Sequence, residues 1–302
     1  MGRESIAKLS IAGEPSETVV PADAERDAAA PINDALQVLA DNGGGEIVLP
    51  AGIFWCKQTV VIPAGCTLRG AGPGTILKAA SGLDADVIAN EAGATGCQVL
   101  NLTVDGNRTT QTVGNGISLT GCDDAIIGAV TVQNCYDDGI LLSDCDRPIF
   151  GGAAAVSNGV HGAHLKGSPF ASGSLVARDN GQRTAGTGLA LDDDGSGNGS
   201  TDATILLAAT DTRADVNKTQ QYGVIEIAGS HCDRNTILGS CNGNATGTAS
   251  FVGALSALVG GIALSTQTFD GGSATSTVTD VIDGGSATSA STNTYDGGMS
   301  LG

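Results

Sequence analysis

The spacing of three short segments constrains the fold of this chain more than any other feature. Gly116–Leu119, Gly139–Leu142 and Gly162–Leu165 each begin with glycine and continue with an apolar, a free and an apolar position. Their starts differ by 139−116=23 and 162−139=23 residues, and the pattern returns at Gly188–Leu191 after 188−162=26 residues. A fixed period of this size, with a short strand in each repeat, is typical of coils that stack on one another. The sequence therefore predicts a β-solenoid.

Composition agrees with a solenoid and limits the partners. The 302 residues include 46 glycines and only 3% aromatic residues, which suits a narrow interior closed by tight turns. The net charge of −18 argues against nucleic acid or an anionic membrane as a partner. The start, Met1–Ser5, lacks an apolar signal-peptide region, and no apolar run is long enough to span a bilayer. We therefore expect no membrane insertion, and synthesis in a bacterial cytoplasm without a signal peptide.

Five of the eight cysteines occupy one position in the repeat, directly before the next strand. Stacking would place equivalent side chains about 4.8 Å apart, whereas a disulfide requires Cβ atoms about 3.8 Å apart in a suitable orientation. The absence of Cys-x2-Cys and Cys-x2-His pairs argues against zinc. We expect a ladder of buried free thiols, in which Ser168 replaces cysteine in one coil: Cys66, Cys97, Cys122, Cys145 and Cys232.

Three regions follow from these patterns. Residues 1–45 are expected to form an N-terminal arm and a capping helix, residues 46–250 the stacked coils, and residues 251–302 a tail rich in Gly, Ser and Thr. Pro31 suits the first turn of a helix, and Gly43–Gly45 would end it. Between them, four apolar residues follow the helical spacing i, i+3, i+4, i+7 and would cover an open sheet edge: Ile32, Ala35, Leu36 and Leu39.

Several segments near the N-terminus resemble a known family. Ala35–Gln37, the glycines 43–45 and Ile47–Gly52 are followed by Leu68–Leu77 and Leu102–Arg108. This order resembles the pectate-lyase-like right-handed parallel β-helices, which include alginate epimerase modules and the tailspike and appendage proteins of phages. The resemblance covers residues 31–245 and implies an all-β, single-stranded, right-handed parallel β-helix. It does not imply one activity, because this scaffold carries lyases, hydrolases, epimerases and inert binders.

The tail carries its own repeat. Phe269, Ile282 and Tyr295 each precede an Asp-Gly-Gly turn, at intervals of 282−269=13 and 295−282=13 residues. Asp-Gly favours a hairpin or a tight turn. The tail is either a flexible linker or an arm that orders on another subunit through these three anchors, and its similarity to tails of phage structural proteins favours the arm.

Strand alternation groups several polar side chains on one outer face. If Ile117 and Leu119 face inward, Ser118 and Thr120 face outward. His164, Lys166, Asp192 and Glu226 are then candidate catalytic residues. Two outer columns are predicted: Ser118, Leu141, His164, Ala190 and Glu226, and beside them Thr120, Ser143, Lys166, Asp192 and Ala228.

The chemistry of this face has a functional and a plain interpretation. Lys166 or His164 could remove a proton beside a uronate carboxylate, while Asp192–Asp194 supply oxygen ligands to Ca²⁺. The plain interpretation is a set of solvated side chains and a loop, so we expect no metal site, with Ca²⁺ relevant only if the protein is a lyase. His161 is interpreted as a turn residue.

The sequence departs from the epimerase pattern, in which Asp-Pro-His-Glu follows a Gly-Phe strand start; here Gly139–Asp144 has no His and no Asp-Pro. Asp137-Asp138 and Asp123-Asp124 leave a paired-carboxylate glycosidase open. Tyr136 is a candidate stacking residue for a glycan, whereas Phe170 is expected inside. The expected glycan contacts are Asp138, His164, Lys166 and Tyr136.

The leading hypothesis is therefore a non-enzymatic spike or fibre subunit of a phage-like particle. It would contact a surface glycan through the solenoid and other particle subunits through its termini. By analogy with tailspikes it would form a homo-oligomer, possibly a trimer. The alternatives are a polysaccharide lyase or epimerase and a glycan-binding module without catalysis.

Overall fold

The computed structural model describes residues 6–11, 18–21, 26–253, 255–259, 267–269 and 276–278, and within them it consists almost entirely of β-strands. One α-helix, α1, spans Ala29–Asp41, and two 3-10 turns lie at Arg108–Thr110 and Asp215–Asn217. The strands are β1 Ile6–Ile11, β2 Thr18–Pro21, β3 Gly45–Leu49, β4 Gly52–Cys56, β5 Val60–Ile62, β6 Cys66–Gly70, β7 Thr75–Ala79, β8 Ile88–Asn90, β9 Gln98–Leu100, β10 Thr103–Asp105, β11 Ile117–Thr120, β12 Ile126–Gly128, β13 Thr131–Gln133, β14 Ile140–Ser143, β15 Ile149–Val156, β16 Ala163–Lys166, β17 Ser172–Arg178, β18 Gly186–Asp192, β19 Thr204–Thr210, β20 Gln220–Glu226, β21 Thr236–Ser240, β22 Gly247–Ser250, β23 Ala257–Val259, β24 Gln267–Phe269 and β25 Ser276–Val278.

The strands stack in parallel, one coil above the next. Each of the first four coils contributes three strands, beginning with β3, β4 and β5. The third strand of every coil joins an eight-stranded sheet in the order β5-β8-β11-β14-β16-β18-β20-β22, here named the second sheet. The other strands of the coils form a larger first sheet, in which all pairs are parallel except those of β1. The predicted parallel β-helix is confirmed.

The first two strands of a coil fuse in the upper half of the molecule. β15 pairs with β12 along its first half and with β13 along its second half. From there on, each coil has one long strand in the first sheet, in the order β15-β17-β19-β21-β23. The interior is filled by small branched side chains, thiols and few aromatic rings, as the composition indicated; Phe54 and Phe150 are the largest buried side chains.

The N-terminal end of the solenoid is closed in two ways. Helix α1 buries Ile32, Leu36 and Leu39, the apolar face predicted from the sequence. Its Asn33 donates to the carbonyl of Thr59 and accepts from the N–H of Val61, so one side chain satisfies the free edge of β5. The sequence did not predict β1, which pairs antiparallel with β3 and so covers the edge of the first sheet. Within the described residues, no helix has the length and apolar character needed to cross a membrane.

The predicted cysteine ladder is present. All eight cysteines are free and buried. The backbone N–H of Cys145 donates to the hydroxyl of Ser168, and the N–H of Ser168 donates to that of Ser200, at 3.1 and 3.0 Å. Burial raises the pKa of the Cys145 thiol to about 12. A small polar atom in each coil therefore accepts a hydrogen bond from the coil below without forming a covalent bond.

A second ladder, of buried amides, lies before the second sheet. Asn158 and Asn180 are fully buried, and each donates its side-chain amide to the next residue of the ladder, at 3.1 Å to Asn180 and 2.9 Å to Gln220. Their side chains also accept backbone N–H groups from the coil below, as from Cys135 at 3.1 Å. Each turn is thus fixed to its neighbours, which positions the residues that follow it in the second sheet.

Little of the tail is described. β24 and β25 pair antiparallel on either side of the first Asp-Gly-Gly unit, which agrees with the hairpin preference of Asp-Gly. Of the three proposed anchors, Phe269 lies in β24 and its side chain is outside the described part, and Ile282 and Tyr295 are outside the described residues. The anchoring role of all three remains a prediction, as do the three region boundaries.

Candidate active site

The register of the second sheet brings polar side chains into two outer columns. Leu141 pairs with His164, and His164 with Ala190. In the neighbouring column Ser143 pairs with Lys166, and Lys166 with Asp192. The predicted columns are therefore confirmed from β11 to β18, and His164, Lys166 and Asp192 share one outer face.

The predicted position of Glu226 on this face is wrong. Glu226 pairs with Leu191, faces inward and is 1% exposed. The register shifts between Gly186 and Thr187, which pair with Gln220 and Tyr222, so β20 carries one extra residue. A one-residue shift moves a side chain to the opposite face of a strand. The Glu226 carboxylate instead accepts hydrogen bonds inside the upper end of the solenoid, from Asn235 Nδ2 and the N–H groups of Val252 and Gly253.

Asp138, His164 and Asp192 lie in line on the outer face and are named here the proton unit. Asp138 Oδ2 lies 3.0 Å from His164 Nδ1, and the two side chains are 10% and 12% exposed. On the other side of the ring, His164 Nε2 lies 3.6 Å from Asp192 Oδ2, and the Asp192 side chain is 21% exposed. Nε2 of His164 is buried and has no hydrogen-bond partner among the described residues.

The charge of Asp138 fixes which nitrogen of His164 carries the proton. Burial raises the pKa of Asp138, but the hydrogen bond with His164 and the positive charge of the histidines outweigh burial, so the pKa is lowered. The backbone N–H of His161 adds a hydrogen bond of 2.8 Å to Asp138 Oδ1. An ionised carboxylate only accepts hydrogen bonds, so His164 carries a proton on Nδ1. Its Nε2 therefore faces Asp192 as the nitrogen that can exchange a proton.

His161 completes the cluster as a neutral donor. Its Nδ1 accepts the backbone N–H of Thr187 at 3.1 Å, which leaves the proton of a neutral ring on Nε2. Burial lowers the pKa of His161 to about 4, although Asp138 opposes the shift. Its ring packs edge-on against His164, with centroids 5.0 Å apart. The sequence interpretation of His161 as a turn residue missed this role; its signal was a second histidine three residues before His164, in the turn that leads into β16.

The cluster has the residue types of a metal site but not the free ligand atoms. One atom each from Asp138, His161 and His164 lies within 4.8 Å of the other two. However, Asp138 uses both oxygens in hydrogen bonds, His164 uses Nδ1, and His161 directs a lone pair to Thr187. A metal ion bound here would have to displace these bonds.

The three consecutive aspartates do not converge. Asp192 Oδ1 accepts the N–H of Asp193, Asp193 Oδ2 pairs with His231 Nδ1 at 3.0 Å, and Asp194 accepts from Ser196 and Asn198. Each carboxylate therefore has a separate set of partners in the loop. The postulated Ca²⁺ site at Asp192–Asp194 would require this loop to rearrange.

Two further residues named from the sequence flank the unit. Lys166 is the strand neighbour of Asp192, and its ammonium group forms no ion pair with the described residues. Tyr136 is not an open stacking surface, because the guanidinium of Arg183 lies 4.5 Å from its ring centroid. Arg183 is held there by Asp137 at 2.6 Å. The structure thus brings together Asp138, His164, Lys166 and Asp192, and leaves Glu226 apart from them.

Comparisons with known proteins show similarity of structure without similarity of sequence. No family model matches the chain, and no curated protein matches it. Among solved structures, the catalytic domain of a GH87 α-1,3-glucanase has a TM-score of 0.57 and 17% identity, over 86% of this chain and 48% of that chain. The pre-mature gene product 12 of bacteriophage phi29 has a TM-score of 0.53 and 14% identity, over 80% of this chain and 32% of that chain.

A third similar structure, ORF18 of Geobacillus virus E2, has a TM-score of 0.50 and 13% identity, over 83% of this chain and 59% of that chain. This chain therefore spans less than two thirds of each of these three proteins. At such identities the likeness shows the fold alone. In agreement with the parallel coils described above, the chain is a right-handed parallel β-helix.

Proposed function

We propose that the protein binds a polysaccharide across the outer face of the second sheet and cleaves it by acid–base chemistry at the proton unit. The observation that carries this proposal is the alignment of Asp138, His164 and Asp192, at 3.0 and 3.6 Å, on a surface outside the apolar core. Exposed side chains on a sheet need no such order. A histidine held by a carboxylate on one nitrogen and facing a second carboxylate on the other is suited to proton transfer.

Asp192 is the member of the unit that a bound sugar can touch. It is one-fifth exposed, whereas Nε2 of His164 is buried. We assign Asp192 as the catalytic acid and His164 as a positioning residue that supplies the proton from behind. Lys166 adds a positive charge beside Asp192, on the neighbouring strand.

The reaction proposed is hydrolysis of a glycosidic bond. The proton passes from Asp192 to the glycosidic oxygen, and the bond from that oxygen to the anomeric carbon breaks. Water adds its oxygen to the anomeric carbon, and its released proton restores the unit. The products are one new reducing end and one new hydroxyl group.

The similarity to two phage proteins suggests the setting. Because phi29 gene product 12 and the Geobacillus virus protein share the fold, we propose a phage-like particle as the location and a bacterial surface polysaccharide as the substrate. Assembly as a homo-oligomer, anchored to other particle subunits through the termini, is part of this proposal.

The test is incubation of the protein with capsular and other bacterial polysaccharides, with new reducing ends as the readout. We expect release by the wild type and loss of at least 100-fold in Asp192→Asn, since one acid–base group contributes about 10²–10⁴-fold. The matched control is Glu91→Gln, the same change at an exposed turn, which should retain full activity. Equal activity of Asp192→Asn and wild type would refute the assignment.

A second candidate function is attachment to the glycan without cleavage. It is favoured by the closure of His164 Nε2, which no substrate atom can reach directly. In that case polysaccharides would bind to the wild type without any product. Asp192→Asn would then change affinity only.

A further inference from the structure

A cleft lies beside the proton unit, where the turns that leave the second sheet lead into the next coils of the first sheet. Its volume is about 640 Å³, within the range of small-molecule sites. Gly167, on its wall, directly follows Lys166 of β16. His164 lies three residues before Gly167, about 10 Å along an extended strand. The cleft is named here the Phe170 cleft, and the lining residues that matter are Asp144, Asp146, Phe170, Asp202, His231 and Arg234.

Phe170 is an exception within a regular column of turn residues. Five successive coils place a non-glycine residue at the same turn position with φ between +54° and +57°. Four of the five are charged and form ion pairs between adjacent coils, Arg147 with Asp124 and Arg234 with Asp202. Phe170 occupies the middle of the column, between these two pairs.

The exposure of Phe170 is energetically unfavourable without a partner. Its side chain is 53% exposed, against the sequence expectation that it lies inside. A left-handed backbone costs of order 1–3 kcal/mol for a bulky residue, and such strain concentrates at functional sites. The turn therefore displays an aromatic ring outward at a position where the neighbouring coils have paired charges. A flat apolar ring next to polar groups is suited to stacking against the C–H face of a sugar.

Hydrogen-bond acceptors without partners lie in the same cleft. Oδ1 of Asp146 is buried and has no hydrogen bond among the described residues. Such an oxygen costs about 1–3 kcal/mol unless a ligand or water donates to it. The carboxylate of Asp144 is exposed and forms no ion pair within the described part of the chain. These oxygens can accept hydrogen bonds from sugar hydroxyl groups.

The charge of the cleft selects against acidic sugars. Asp144, Asp146 and Asp202 face one permanent cation, Arg234, whose guanidinium is already held by Asp202 in two hydrogen bonds of 2.7 Å. The net charge of the chain, −18, acts in the same direction. A uronate or sulfate group would enter this cleft against repulsion.

We propose that the Phe170 cleft binds an uncharged stretch of a polysaccharide, with Phe170 stacked on a sugar ring and Asp144 and Asp146 accepting its hydroxyl groups. Its identification as a substrate subsite rests on the proposed function, because the cleft adjoins the proton unit. Binding of the saccharide does not depend on catalysis.

The test is binding of the full chain to an array of bacterial glycans, with uncharged and uronate-bearing members. We expect uncharged glycans to bind, and Phe170→Asn to lose at least tenfold in affinity. Asparagine tolerates the left-handed backbone, so this variant retains the fold. Phe170→Tyr keeps the ring and should keep binding, and Leu206→Ala, which removes an exposed apolar side chain from the first sheet, is the matched control.

The outcomes separate this inference from the proposed function. Binding to uronate-bearing glycans only, the absence of binding to any uncharged glycan, or unchanged affinity in Phe170→Asn would overturn the role of the cleft. If affinity depends on Phe170 but no bound glycan is cleaved, the cleft inference stands and the proposed hydrolysis falls. If products form while Phe170→Asn binds as the wild type does, the reverse holds.

Discussion

The environment of His161 predicts a loss of stability in mild acid. Burial lowers the pKa of this histidine from 6.5 to about 4, with Asp138, His164 and Asp192 as the charged groups around it. Above pH 6.5 neither the folded nor the unfolded chain binds a proton here. Between pH 6.5 and about 4 the unfolded chain binds one and the folded chain does not, so the free energy of unfolding falls as the pH falls.

The size of the loss follows from the two pKa values. At about 1.36 kcal/mol for each pH unit between them, the full effect is about 3 kcal/mol, of which about 2 kcal/mol is lost between pH 7 and pH 5. Asp138, whose pKa is also lowered, adds a loss at more acidic pH. His161→Gln removes only the histidine contribution, because a glutamine oxygen can accept the N–H of Thr187 and the backbone bond to Asp138 stays.

Urea unfolding followed by circular dichroism at pH 7 and pH 5 measures the difference. We expect the wild type to lose about 2 kcal/mol more than His161→Gln over this interval. NMR of the imidazole groups gives an independent check, since the chain has only three histidines. A His161 signal that titrates near 6.5, or equal pH dependence in both proteins, would refute the buried neutral ring.

Three further predictions test the solenoid. Asn180→Ala leaves the backbone and side-chain N–H groups of Asn158 without an acceptor, and should cost about 3 kcal/mol in urea unfolding, whereas a cost below about 1 kcal/mol, or one equal to that of the exposed control Asn217→Ala, would contradict the ladder. Asp211→Asn should cost about 2 kcal/mol at pH 7, because burial raises the pKa of Asp211 but hydrogen bonds from Arg213 and backbone N–H groups lower it to about 2; this stability is present above pH 3.8 and lost as the pH falls toward 2, and an unchanged wild-type acid transition in the variant would count against it. All eight thiols should resist a thiol reagent in the native protein and react after unfolding, and rapid reaction of any one of them would show that its coil is open.

The repeat was sufficient to predict the fold and most of the site. Because the 23-residue spacing fixes which residues become lateral neighbours, His164, Lys166 and Asp192 could be grouped before any coordinates. The same reasoning failed at Glu226, because the loop after Asp192 and the extra residue in β20 break the period, and the sequence has no mark of a bulge.

The two residues most affected by tertiary context could not be predicted. His161 is neutral because the turn buries it against Thr187, a contact between coils that strand alternation does not specify. Phe170 was expected inside on hydrophobicity alone. Its turn position, shared with Asp124, Arg147, Asp202 and Arg234, is an outward one. That position is set by the backbone of the turn and not by the side chain.

The central claim, hydrolysis of a bound glycan at the proton unit, is tested most directly by cleavage in water enriched in oxygen-18. The account predicts that each new reducing end carries one heavy oxygen in the mass spectrum of the products, and that Asp192→Asn yields none. Unsaturated products without heavy oxygen would show elimination instead, and a polysaccharide that binds the wild type but remains intact would contradict catalysis altogether.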